Sequence, residues 1–260
     1  MINRKTSREI ALMRAAGKIA ALARELAGQM VQVGATTQSI DKAVHSFLKS
    51  HGAVPTFLGY RDYPASICIS INDEVIHGIP NSRKLLQGDA VSIDIGATKN
   101  GYIGDCAATF IAGKGDEETK RLIKVTRECF FEGFKKAIAG NRISDISRAI
   151  QQHAEANGFS VVREYTGHGV GTKLHESPEV PNYVELPRPK RNPRLLPGMT
   201  LAVEPMVNAG RAEIQILNDG WTIVTADGKN SAHYENTILI TDDEPEILTL
   251  CEGIIHEEMI

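Results

Sequence analysis

The chain is poor in cysteine, in long apolar runs and in net charge. Its four cysteines, Cys68, Cys106, Cys129 and Cys251, are scattered, and none falls in a CxxC pair. That excludes a thiolate zinc module and a disulfide framework, and it fits reduced thiols in a cytosolic protein, some of them core packing. No run is apolar and long enough to span a bilayer. The N-terminus, Met1-Ile2-Asn3-Arg4-Lys5, is basic, but Arg8, Glu9, Arg14, Lys18, Arg24 and Glu25 interrupt the alanine-rich stretch after it. No signal peptide is read, and a cytoplasmic setting is expected. The formal charge of -3 supplies no overall basic field for nucleic acid.

What is present is an ordinary globular composition, 42% hydrophobic and 23% charged over 260 residues, enough for one large domain or two fused halves. Helical periodicity runs from Ser7 to Met30 with Ser7 as N-cap, and a second helix from about Ser39 to His51 stops at Gly52. Strands follow at Ala65–Ile71, Ala90–Ile95 and Tyr102–Ile111. The order then repeats: helices over Glu117–Ala139 and Ile143–Asn157, then strands at Leu201–Val207, Trp221–Thr225 and His233–Thr241. Residues repeat too. Leu85-Leu-Gln-Gly-Asp-Ala-Val-Ser-Ile-Asp94 aligns with Leu195-Leu-Pro-Gly-Met-Thr-Leu-Ala-Val-Glu204, placing one carboxylate at the same point of each half. Prolines between Leu174 and Leu196 argue against regular structure there.

The Asn100-Gly101 dipeptide is a hairpin turn signal. With that turn, Asp105 faces residue 96 and Asp94 faces residue 107, so both aspartates share one sheet face, with Ile93, Ile95 and Ile103 expected on the other. Two acids on a partly apolar surface either retain a proton or hold a cation, unless both simply face solvent. The second half adds His168, an exposed imidazole between glycines in Gly167-His-Gly-Val-Gly171. It also adds Glu204 and Glu235, acids inside apolar strands. Four carboxylates and an imidazole suit hard or borderline divalent ions such as Mn, Fe, Co or Zn.

These words resemble the type I methionine aminopeptidases of the pita-bread metallopeptidase group. The likeness is carried by Ser70-Ile-Asn-Asp-Glu-Val-Ile-His-Gly-Ile-Pro80, Asp94-Ile-Gly, Gly104-Asp105 and Gly167-His-Gly-Val-Gly171. Glu204-Pro-Met-Val-Asn208, Asp219-Gly-Trp221-Thr and Tyr234-Glu235-Asn-Thr237 complete it. It covers nearly the whole chain. It implies an α+β pita-bread fold, two pseudo-symmetric αβ halves with antiparallel sheet around a dinuclear metal site. The chain is then one catalytic domain over residues 1–260, with halves at about 1–112 and 113–260 and no N-terminal extension domain. It further implies two divalent ions. Asp94 would bind one, His168 and Glu204 the other, and Asp105 and Glu235 would bridge both. The implied reaction removes the N-terminal methionine of nascent chains whose next residue is small, by attack of a hydroxide held between the ions. Glu204 would relay the proton, and His77 and His175 would flank the substrate. Tyr60, Tyr63, Cys68, Trp221 and Phe57 would wall the methionine pocket.

The sequence departs from the family's usual words at Phe57, at Leu174 before His175, and at His233 and Asn236 around Glu235. His233 is read as supporting a ligand, not as one. Rival readings are an aminopeptidase acting before proline, a dipeptidase, or a binding module that keeps the fold. A monomer is expected. The basic residues Arg188, Lys190, Arg191 and Arg194 read as a solvated loop, with contact to ribosomal RNA phosphates as the alternative.

Overall fold

The computed structural model describes residues 2–184 and 192–250. Helix α1 spans Ser7–Gln29, and its N-cap is Thr6, one residue before the expected Ser7. The reason is a capping box: the Thr6 hydroxyl accepts from Glu9 N–H, and Glu9 Oε2 accepts from Thr6 N–H at 2.8 Å. Helix α2 spans Thr37–Ser50 behind a Thr36 cap, two residues earlier than expected. Helix α3, Glu117–Phe134, is capped by Asp116 and ends before the expected Ala139; α4 spans Ile143–Ala156.

Among the described residues, nine antiparallel strands form the main sheet. Its continuous order is Val54–Pro55, Ala90–Lys99, Tyr102–Ile111, Glu235–Leu239, Thr200–Val203, Gly167–Gly169 and Glu176–Val180. Cys68–Ile71 pairs beside Ala90–Lys99, and Glu246–Ile247 beside Glu235–Leu239. The helices cover one face. Helices α1 and α2 bury Ala20, Ala23, Ile40 and Val44 against Ile93, Ile95 and Cys106. Helices α3 and α4 bury Leu122, Phe130 and Ile146 against Leu201, Val203 and Ile238. Closeness on the α1 side depends on glycine, because a Cβ at Gly104 would lie 2.4 Å from the Gly17 Cα. No described helix is long and apolar enough to cross a membrane.

The predicted hairpin register is observed: Asp94 pairs with Ala107 and Gly96 with Asp105, around a turn where Asn100 and Gly101 have φ of 51° and 79°. Four expectations need correction. Ile103 lies on the acids' face, since it is two residues from Asp105 and packs with Tyr63 and Cys68, not with Ile93. The expected strand Leu201–Val207 breaks at Glu204-Pro205. Thr200–Val203 stays in the main sheet, and Met206–Asn208 joins a small sheet with Ser231–His233. His233–Thr241 breaks likewise at Tyr234. Finally, Glu176–Val180 is a strand despite Pro178. It lies at the end of the sheet order, where a residue without an N–H is tolerated.

Candidate metal centre and substrate pocket

Register alone carries the acids together. Cys68 pairs with Asp94, Asp94 with Ala107, and Ala107 with Glu235, so one row crosses three ladders on the face opposite the helices. Asp105 stands two residues along from Ala107. His168 pairs with Ala202, and Ala202 with Thr237, two residues from Glu235. Thr237 also ties the central strands: its hydroxyl donates to Asp105 O at 2.9 Å and accepts from Asp105 N–H at 3.0 Å. Glu204 and Glu235 both sit where the chain leaves one sheet for the other, and these bends turn their carboxylates toward the same space.

The five groups converge. His168 Nε2 lies 3.4 Å from Glu204 Oε1 and 3.8 Å from Asp105 Oδ2. Ligand atoms of Asp105, His168 and Glu235 fall within 4.8 Å of one another. His168 is buried, not exposed as the sequence implies, and its Nδ1–H donates to Gly169 O at 2.9 Å. That leaves the Nε2 lone pair facing the acids. Burial pushes Asp94 up to about 7. Burial, then the neighbouring carboxylates, raises Asp105, Glu204 and Glu235 well above the ordinary range. Burial, then His175, pulls His168 down to about 3. Asp94 Oδ1, Asp105 Oδ1 and Glu235 Oε1 have no hydrogen-bond partner among the described residues. Buried acids with orphaned oxygens and a neutral imidazole are the donor set a divalent cation completes.

Beside this centre lies an apolar wall. Phe57, Tyr63, Cys68, Ile103, Val170 and Leu174 form one buried cluster, with Tyr60, Ile79 and Trp221 packed against it. Tyr63 meets Trp221 edge-on at 5.0 Å, and its hydroxyl donates to Gly78 O at 2.9 Å, holding the backbone next to His77. His77 sits at φ 60°, edge-on to Trp221 and to Tyr165. Burial, then His175, lowers its pKa to about 4, so the ring is neutral near pH 7. The His175 ring lies 4.2 Å from that of His168, and its Nδ1 is 2.8 Å from the Tyr60 hydroxyl. His233 is buried with Nε2 3.9 Å from Glu235 Oε2. All the residues predicted for the site therefore gather in one region. Sequence reasoning missed Tyr165 and Ile103. The position of Ile103 was available from strand parity, whereas Tyr165 carried only its closeness to the Gly167 word.

Cys68, Cys106 and Cys129 are buried; Cys251 lies outside the described residues. So do Arg188, Lys190 and Arg191, while the Arg194 guanidinium donates to Gly140 O at 2.8 Å.

A sheet face bearing two buried and two half-buried acids and a histidine, backed by paired helices, suits a metallopeptidase, and the chain belongs to metallopeptidase family M24, whose profile matches residues 11–242. More narrowly, it stands with the methionine aminopeptidases. The enzyme of that name from Clostridium perfringens is 53% identical over 250 residues, 96% of this chain and 99% of that one. The crystal structure of the methionine aminopeptidase from Thermotoga maritima superposes with a TM-score of 0.92 at 44% identity, covering 96% of this chain and 99% of that one. A prolidase from Pyrococcus furiosus shares the fold alone, at TM-score 0.77 and 22% identity, and this chain covers 66% of it. The fold is the α+β pita-bread fold of these proteins.

Proposed function

We propose that the chain removes N-terminal methionine from nascent proteins whose second residue is small, using two divalent ions. The convergence of Asp94, Asp105, His168, Glu204 and Glu235 on one sheet face carries this reading, supported by the near full-length likeness to methionine aminopeptidases. Asp94 would hold one ion, His168 and Glu204 the other, and Asp105 and Glu235 both. Bound there, the ions supply an activated water and positive charge against the developing oxyanion. The chain's own groups do the rest. Glu204 is placed to move a proton toward the leaving amine. His77 and His175 flank the scissile bond as hydrogen-bond donors. The wall of Tyr60, Tyr63, Cys68, Trp221 and Phe57 receives the thioether by dispersion and sulfur–ring contact.

The same reading makes the chain one catalytic unit of two related halves, about residues 1–112 and 113–260, working as a monomer in the cytoplasm. Ribosome contact through Arg188, Lys190, Arg191 and Arg194 would be a salt-sensitive addition to this role. The deciding experiment is peptide cleavage after chelation and re-addition of single Co, Mn, Fe or Zn ions. Release of methionine from Met-Ala-Ser only with metal, and no cleavage of Xaa-Pro peptides, supports the proposal. Equal activity without metal, or preference for Xaa-Pro, defeats it.

A further inference from the structure

The segment carrying Leu174 and His175 is closed by an ion pair that plays no part in the chemistry above. Lys5 Nζ lies 2.7 Å from Glu176 Oε2, and the two side chains are only 5% and 7% exposed. Glu176 pairs in register with Gly169, so it closes the loop that leaves the His168 strand. Its other oxygen, Oε1, accepts from Thr172 N–H at 3.1 Å and Lys173 N–H at 3.3 Å, inside that loop. Lys5 is itself anchored, since its N–H donates to Gly198 O and the neighbouring Arg4 Nε donates to Pro197 O at 2.7 Å. The fit is tight: a Cβ at Gly171 would lie 2.5 Å from Lys5 Cε and 2.6 Å from Glu176 Oε1. Gly171 O also accepts from Ile103 N–H at 2.9 Å, on the strand that holds Asp105.

A buried, hydrogen-bonded pair joining positions 5 and 176 is costly to desolvate and needs a reason. Through Glu176 and the Thr172 and Lys173 N–H groups it fixes the backbone on both sides of His175. The geometry points to Lys5 as a positioning residue: with Glu176 it forms a strut from the N-terminal arm that sets His175, and with it Leu174, against the substrate side of the centre. This rests on the reading of His175 given above.

The test uses the full chain. K5M alone leaves a buried carboxylate without its cation, so the informative variant is K5M/E176Q, in which the strut is gone and the loop N–H groups keep only a weaker, neutral acceptor. With Met-Ala-Ser as substrate, kcat/KM of this double variant is expected to fall by about tenfold or more, since small displacements of positioning groups are amplified in rate. In an H175A background the same two changes should cost little further, because the strut acts through His175. Amide exchange at Thr172 and Lys173 should rise in K5M/E176Q whether or not the peptide is the right substrate. An equal fold loss in both backgrounds, no loss at all, or unchanged exchange at those amides overturns the inference. Failure of the parent protein to cleave the peptide would instead count against the proposed activity, and the exchange measurement would still decide the strut.

Discussion

At the level of single residues, the acids dominate. Burial and the neighbouring Asp94 disfavour charge on the Asp105 carboxyl, so an uncharged amide of the same shape, Asp105→Asn, should leave the metal-free fold nearly unchanged in thermal stability. The same change removes a candidate ligand. Since losing a mere supporting partner costs about 10–100-fold in metal affinity, losing Asp105 should cost more than about 100-fold, as read by calorimetric titration. Protonation gives a second test. Burial pushes Asp94 up to about 7, and burial with the neighbouring carboxylates raises the other three acids well above the ordinary range, so ion entry should displace protons. His168, held near 3, is already neutral and releases none in this range. Metal affinity should therefore rise with pH through about 7, with protons released on binding; a flat profile from pH 5 to 8 would contradict the assignment. All five candidate ligands could be picked out in the sequence, the four carboxylates because acids embedded in apolar words are costly without a purpose. The burial of His168 was not, because flanking glycines say how near a backbone can come and nothing of what covers it.

Among the elements, the hairpin was read to the residue and the glutamate strands were not. The Asn100-Gly101 turn fixes register by local backbone chemistry, and Gly101 adopts φ 79°. Gly101→Ala should cost about 1 kcal/mol, a fall in Tm of roughly 2–4 °C, with metal still bound. A much larger loss, or loss of metal, would show that the turn does more than set register. The strands around Glu204 and Glu235 look continuous in sequence because their apolar pattern does not stop. Only the pairing of Met206–Asn208 with Ser231–His233 reveals that one changes sheets at Glu204 and the other at Tyr234, just before Glu235. Helix caps were misplaced by a residue or two where two hydroxyl residues adjoin, as at Thr6-Ser7, and hydrogen bonding chose between them. Pro178 misled for another reason: a proline forbids a central strand but not an outer one, and sheet order is a property of distant pairing.

Across the whole molecule, helices on one face and ligands on the other divide stability from chemistry. The aligned words ending at Asp94 and Glu204 come together because the strands Tyr102–Ile111 and Glu235–Leu239 pair at the middle of the sheet. On the proposed reading, this meeting of strands creates a site for two cations. Titrating Mn into chelated protein while counting ions and protons puts that to the test. Two ions bound per chain with proton uptake by the buffer, both lost in the Asp105→Asn/Glu235→Gln double variant, is the predicted result. A single ion, no ion, or undiminished binding in that variant would contradict it.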